Sequence, residues 1–410
     1  MSKIKVVDAC MGRGKTSAAA AYMLANRETK RFLYITPFLD EVDRICMMCD
    51  FSQPGCDNST KLSELKRMLS DGVNVASTHA LFYLLDDEAL DMIRSKQYSI
   101  IIDESIDTVK RESITSKDFD ILMNSMISVD DTGKVTWLDD EYEGKLDGYM
   151  LMAKSGFLYV KDHALLSVMR PDLLEAFDEV IMMTYMFNGQ YQKGYLDYFG
   201  FEYQMCGVDI DDSDMSNVKF SFTDYPDEPP AKDYRRLITI VDDPKLNEIG
   251  NGHYNLSKSW FDRKSKDSAE IKTLRANLNT FFRRRCKVKT KEMMWTCFKA
   301  HYEKLLPKDG RFRSSFVSLT SRATNKYKNR NTVAYIANRF IDPNVVKFFS
   351  DQGITIDCDQ FALSEMLQFI WRSAIRDDKP VTLYIPSRRM RSLLINWIDE
   401  RYKGDADNNE

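Results

Sequence analysis

The sequence predicts an α/β protein built on two parallel-sheet domains, and three observations carry that expectation. Short apolar, β-rich runs alternate with helix-forming stretches along much of the chain, and near-continuous apolar strands are those buried on both faces of a parallel sheet. The 410 residues exceed what one hydrophobic core ordinarily organises, so two domains are the default. The turn-rich stretch DYPDEPPAKDY, 224–234, supplies punctuation between them.

In the first domain, expected over 1–195, strands are predicted at Ile4–Val7, Phe32–Ile35, Val73–Ser77 and Ser99–Ile102. Helical spacers such as Ser17–Ala25 and Lys61–Leu69 lie between them. After Ile106 the pattern breaks. Residues 107–165 are acidic and irregular, with hairpin strands expected around Lys134–Leu138 and Phe157–Val160, and read as an insertion. The aromatics Trp137, Tyr142, Tyr149, Phe157 and Tyr159 are expected to form its own small core. DEVIMMTYMF, 178–187, returns to the first sheet. A linker region is assigned to 196–234. The second domain, 235–402, is expected to carry strands at Leu237–Val241, Met293–Phe298, Phe316–Thr320, Thr332–Ala337 and Val381–Ile385, with a basic element at 250–291. Residues 403–410, at the polar GDADNNE terminus, are expected to be a disordered tail.

Composition narrows the classes. A net charge of −4 confines any nucleic-acid contact to a local basic surface. Eight cysteines are too sparse for a disulfide scaffold, and Cys46, Cys49 and Cys56 have no histidine near them in sequence to complete a zinc site, so reduced thiols are the reading. No apolar run reaches membrane-spanning length, and MSKIKVVDAC lacks a signal peptide's apolar stretch; the expected location is the cytoplasm, with no membrane partner.

The chemistry begins at ACMGRGKTSAAAA, 9–21. A strand that ends in a glycine-rich turn opening a helix presents backbone N–H groups and the helix N-terminus to an anion. Gly12 and Gly14 let the backbone approach phosphate, Lys15 brings a point charge to the terminal phosphates, and Thr16 offers a hydroxyl to Mg²⁺. With Arg13 these form the expected nucleotide site, although Ala9 stands where the full P-loop pattern has glycine. YSIIIDES, 98–105, delivers Asp103 and Glu104 at a strand's C-terminal edge, where open sheets bind ligands. Asp103 is expected to hold Mg²⁺ through water, and Glu104 to orient and deprotonate the attacking water.

With both motifs in place, the chain resembles superfamily 2 helicases and translocases, motifs I and II of which read A-x-x-G-x-G-K-T and D-E-x-x here. ITPFLDEV (35–42) is similar to motif Ia, STHAL (77–81) to motif Ib and FVSLTSRATN (316–325) to motif V. MTYMF (183–187) sits at motif III and keeps only Thr184. QFIWRSAIR (368–376) resembles motif VI, with Gln368, Arg372 and Arg376 matching and Trp371 replacing the glycine. T-x-R-A-T-N, YIANRF and WRSAIR, with the compact length, look most like helicase-like ATPases of tailed bacteriophages, whose location is the bacterial host cytoplasm.

The resemblance implies two RecA-like domains sharing one ATP and Mg²⁺. Arg376 becomes the arginine finger, with Arg372 and Gln368 beside it; their spacing predicts one helix face. It also implies backbone and hydroxyl contacts to nucleic acid near Thr36, Pro37, Thr78, His79 and Thr320, with Arg322 and Asn325 adding to the grip, and coupling through Thr184. The motif II tail Ser105-Ile106 is neither A-D nor A-H, which argues against DEAD-box RNA unwinding and favours DNA over RNA. In the basic element, Arg283, Arg284 and Arg285 stand beside Phe281 and Phe282. Cations there track phosphates and aromatics stack on bases, or the aromatics dock an ordinary amphipathic helix. The leading function is an ATP-dependent DNA helicase or translocase in phage replication, recombination or repair, with a replication or recombination protein as a possible partner. An origin-binding or loading ATPase is the alternative, and a packaging motor is disfavoured because no nuclease-like carboxylate cluster follows.

Overall fold

In a computed structural model the protein forms two compact units, one of Met1–Ala9, Arg13–Asp227 and Ile341–Asp357, the other of Cys10–Gly12, Glu228–Phe340 and Cys358–Glu410. The structure describes residues 3–55, 60–214, 216, 218–226, 233–319 and 325–407, with side chains described to Arg401 except that of Asn325.

Chain order in the first unit begins β1 (Ile4–Asp8), α1 (Lys15–Asn26), β2 (Arg31–Thr36), α2 (Leu39–Cys49), α3 (Lys61–Asp71), β3 (Val75–Thr78), α4 (His79–Phe82), α5 (Asp87–Lys96) and β4 (Tyr98–Asp103). Local chemistry sets these boundaries. The Thr60 side chain accepts from Ser63 N to start α3, and Gly72, at φ 70°, closes it. Asp86 caps α5 by accepting from Ala89 N. YSIIID of β4 is buried at every position, which is why that run reads as a central strand covered on both faces.

The insertion follows. Within it β5 (Val109–Arg111), β8 (Leu158–Lys161) and β9 (Ala164–Val168) form an antiparallel sheet in the order β5-β9-β8, while β6 (Ile127–Val129) and β7 (Val135–Trp137) make a separate hairpin. It therefore closes at Val168, three residues past the expected 165. Trp137 is buried with Phe119, Leu122 and Leu158 in a core of the insertion's own, with Tyr142 and Tyr149 packed against it. Tyr159 goes elsewhere, its ring meeting Phe348 at 5.1 Å.

Then come β10 (Glu179–Thr184), β11 (Tyr203–Asp211) and β12 (Lys219–Thr223), completing a seven-stranded sheet in the order β12-β11-β1-β10-β4-β2-β3. All neighbours are parallel except the β11–β12 hairpin. This corrects the expected linker over 196–234: the stretch carries two strands of the sheet, because Cys206 and Val208 are buried in the first core with Phe220 and Phe222 packed on it.

The second unit holds a parallel sheet in the order β13-β16-β15-β14, from β13 (Ile238–Ile240), β14 (Met293–Thr296), β15 (Thr332–Tyr335) and β16 (Val381–Tyr384). The strand expected at Phe316–Thr320 reduces to a single bridge between Phe316 and Trp295, and Thr320 lies outside the described residues. In the basic element, helix Ala269–Asn279 runs into a π-helical turn, Thr280–Arg285. Trp260, Phe261, Phe281 and Phe282 are all buried in this unit's core. They dock the element, so base stacking by these rings is ruled out by their burial. The last helix, Arg388–Asp407, replaces most of the expected tail; 408–410 lie outside the described residues.

One helix departs from the expected domain order. Pro343–Ser350, capped by Asp342 and started by Pro343, belongs to the first unit although it interrupts the second in sequence. Phe348 stacks on Tyr198 at 4.8 Å, Asn344 Nδ2 donates to the Lys161 carbonyl at 2.9 Å, and Lys161 pairs with Asp351 at 3.2 Å. Phe349 lies so close to Gly194 that an added Cβ would press on its ring.

Ile101 is fully buried at the centre of β4 and belongs to the core shared with Val7, Tyr34 and Ile181. Ile101→Ala should cost about 2–5 kcal/mol of stability, read as a lowered denaturant midpoint; a loss below about 1 kcal/mol would contradict this packing.

Candidate nucleotide-binding site

Parallel register brings the site together at one sheet edge. Asp8 pairs with Thr184, Met183 with Asp103, and Thr36 with Thr78. The C-terminal ends of five neighbouring strands thus finish almost level, and the loop after β1 leaves from among them.

Gly12 and Gly14 both adopt left-handed backbone, φ 81° and 86°, which only glycine takes without cost. Gly14 is the residue that caps α1, with Lys15 and Thr16 opening it. The Lys15 ammonium folds back to donate to the Ala9 carbonyl at the start of the loop. Gly12, Arg13, Gly14, Lys15 and Thr16, all expected site residues, thus occupy a strand–turn–helix junction of the kind that cradles phosphate.

Asp103 is buried, and burial, with the Glu104 carboxylate next in effect, pushes its pKa up to about 7. Tyr34 donates to its Oδ2 at 2.7 Å, and His79 Nε2 donates to its backbone carbonyl at 2.9 Å. Burial likewise keeps the Tyr34 phenol protonated by raising its pKa far above the usual value. Asp103 is therefore held at its carboxylate by Tyr34 and at its backbone by His79. Glu104, half-buried, sits at φ 66°, a conformation costing a non-glycine residue of order 1 kcal/mol and concentrated at functional sites.

A further brace links the loop to the end of β10. Asp8 accepts from the backbone N–H groups of Met186 at 2.7 Å and Phe187 at 3.0 Å, holding a turn in which Met186 has φ 57°. Ala9 N donates to the Thr184 carbonyl at 3.1 Å. The Thr184 hydroxyl is buried with no hydrogen-bond partner among the described residues.

Several expectations are corrected here. His79 is buried and tied to Asp103, and the Thr36 side chain is also buried, so neither side chain faces outward to grip phosphates. The Thr78 hydroxyl caps α4 by accepting from Leu81 N at 3.4 Å, while Pro37, next after Thr36 in the chain, is half-buried. Gln368, Arg372 and Arg376 do not share a helix face, because helix Cys358–Ile370 ends before either arginine. Arg372 is buried and donates to the carbonyls of Ser318 and Leu319 at 3.2 and 3.3 Å. Arg376 is exposed in a separate turn, Ala374–Asp377. Thr320 and Arg322 lie outside the described residues, as does the Asn325 side chain. In the basic element Arg283 donates to the Val288 carbonyl at 3.2 Å and Arg285 pairs with Asp243 at 3.0 Å, leaving Arg284 exposed between them.

Among the described residues no group of three or more His, Cys, Asp or Glu side chains forms a metal site. Burial raises the Cys49 thiol to about 11, as expected of a reduced, buried cysteine; Cys56 lies outside the described residues. No described helix is long and apolar enough to cross a membrane. Asp8 and Tyr34 were not singled out in the sequence. The signal for Tyr34 was its place near the end of β2, where the β2–β4 register sets it on the same face as Asp103.

Comparison with known proteins gives two findings. A family model described as the YonV C-terminal Rossmann-like domain matches residues 232–398, which covers the parallel sheet of the second unit. The chain is also 34% identical over 417 residues to the SPbeta prophage-derived uncharacterized protein YonV of Bacillus subtilis (strain 168), covering 98% of this chain and 100% of that protein.

Asp8→Ala leaves the Met186 and Phe187 amides without their carboxylate, a loss of about 1–3 kcal/mol for each buried donor left unpaired. Hydrogen exchange at those two amides should then accelerate about tenfold or more while β4 amides stay protected. Unchanged exchange at both would remove the brace from the account.

Proposed function

We propose that this chain, which belongs to the family of the prophage protein YonV, is a phage-type ATPase that couples hydrolysis to movement along DNA, or remodelling of it, during replication, recombination or repair. In this reading the two units are RecA-like domains of the superfamily 2 kind. The observation that carries it is that the turn of Gly12, Gly14, Lys15 and Thr16 follows β1 and the pair Asp103 and Glu104 ends β4, at the same edge of one sheet whose strand ends are level.

The residues fit ATP with Mg²⁺. The Thr16 hydroxyl and Asp103 carboxylate are the hard oxygen donors that Mg²⁺ takes, and a carboxylate whose pKa is raised by burial is one that a neighbouring cation relieves. The ion, when bound, neutralises charge on the terminal phosphates. Lys15 exchanges the Ala9 carbonyl for a phosphate oxygen. Glu104, held by its backbone at the end of β4, orients the attacking water and takes its proton. Arg376, exposed on its turn, stabilises charge on the transferring phosphoryl group, with Gln368 nearby in sequence. Arg372 acts differently: it anchors the Ser318–Leu319 backbone. Asp8 and Thr184 link the phosphate loop to the turn after β10, which supports Thr184 as the coupling residue.

DNA contact is assigned to backbone near Pro37 and Thr78 and to the Arg284-centred basic surface. An origin-binding or loading ATPase uses the same site with little strand separation; displacement of a labelled strand from forked DNA distinguishes the two.

Lys15→Ala and Glu104→Gln should each lower ATP turnover by about 10²-fold or more, with Glu104→Gln still binding ATP. Turnover should rise with single-stranded or forked DNA more than with RNA. Wild-type turnover in Lys15→Ala would reject the enzyme. Replacing Arg283, Arg284 and Arg285 by glutamine should flatten the log–log salt dependence of DNA binding by about two units; an unchanged slope would move the DNA path off this element.

A further inference from the structure

Resting on the nucleotide reading, the geometry points to a seat for the base that no motif assigned: we propose that Phe220, on β12, is the platform on which the nucleobase of the bound nucleoside triphosphate stacks.

The order of strands sets the direction. On one side of β1 lie β10 and then β4, which delivers Asp103 and Glu104. A γ-phosphate held for attack must lie toward those acids. The nucleoside end of the same molecule then leaves the loop on the opposite flank of β1, which belongs to β11 and its hairpin partner β12. Along that flank β12 turns back over α1, the helix whose first turn holds the phosphate loop.

Phe220 sits at the junction. Its ring lies so close to Gly14 that a Cβ there would collide with Cδ1 and Cε1. Phe222, two residues on and therefore on the same face, meets the Tyr22 ring of α1 at 5.8 Å and anchors the strand. Phe220 itself is only half-buried, so part of the ring stays open beside the turn. A fixed, partly open aromatic next to a phosphate-holding backbone offers a π-face beside the turn. Stacking on such a face tolerates any base and favours the larger purines. The left-handed backbone explains glycine at position 14; the ring supplies a second, independent reason.

The test compares a ligand with a base and one without. Binding of ATP and of inorganic tripolyphosphate, both with Mg²⁺, is measured by titration calorimetry on wild type, Phe220→Ala, Phe220→Leu, Phe220→Trp and Lys15→Ala. Phe220→Ala and Phe220→Leu should weaken ATP on the order of tenfold, the loss expected for one stacked base, and tripolyphosphate less than twofold. Phe220→Trp should retain ATP affinity. If Phe220→Ala fails to fold, the leucine and tryptophan variants decide, since leucine keeps the apolar packing on Gly14 without the aromatic face. Equal losses for both ligands, or none for either, would overturn the platform and leave the ring as a plug over the turn. Lys15→Ala should weaken both ligands alike; a wild type that binds neither would overturn the nucleotide reading itself, and the platform with it.

Discussion

The site depends on the in-register parallel pairing of β1, β10 and β4. Because Asp8 stands opposite Thr184 and Met183 opposite Asp103, three strand ends finish within a residue of one another. A shift of one residue in any of these pairs would turn every side chain of that strand to the other face and carry its end out of line with its neighbours. The apolar content of IKVV, SIII and VIMM therefore does more than fill a core. It fixes where the glycine turn begins relative to the two carboxylates.

Around that register the structure places a shell of polar side chains that are themselves immobilised. Tyr34 and His79 hold Asp103 from the side-chain and backbone ends, and Asp8 holds the turn after β10. Each of these groups is satisfied within the fold, and a fully satisfied polar network in a low-dielectric setting gives rigidity. Glu104 differs in kind: like Met186 it takes a left-handed backbone, at a cost on the order of 1 kcal/mol.

The glycine turn and the acid pair were legible in the sequence because their chemistry demands particular residue types at adjacent positions. The central strands were legible for a related reason, since burial on both faces leaves an unbroken apolar run. What stayed hidden depended on contacts between distant segments. K-F-S-F-T of β12 alternates as a half-buried strand should, but five residues beside a turn-rich stretch read more simply as linker. Gln368, Arg372 and Arg376 have helical spacing, and only the end of that helix at Ile370 separates them. The aromatics at 260–261 and 281–282 fit stacking on bases as well as core packing until burial decided between them. The bracing roles of Asp8 and Tyr34 follow from strand order, which no local pattern encodes.

Helix Pro343–Ser350 carries a consequence for how the protein is made. Phe348 and Phe349 fill space against Tyr159, Tyr198 and Gly194, so the amino-terminal unit lacks one of its own walls until residue 350 has been synthesised. During translation that unit must wait, with those aromatics bare, while more than a hundred further residues emerge from the ribosome. A fragment cut at the turn-rich stretch near 224–234 would stay in that incomplete condition, prone to self-association. No single cut in the chain therefore parts the two units.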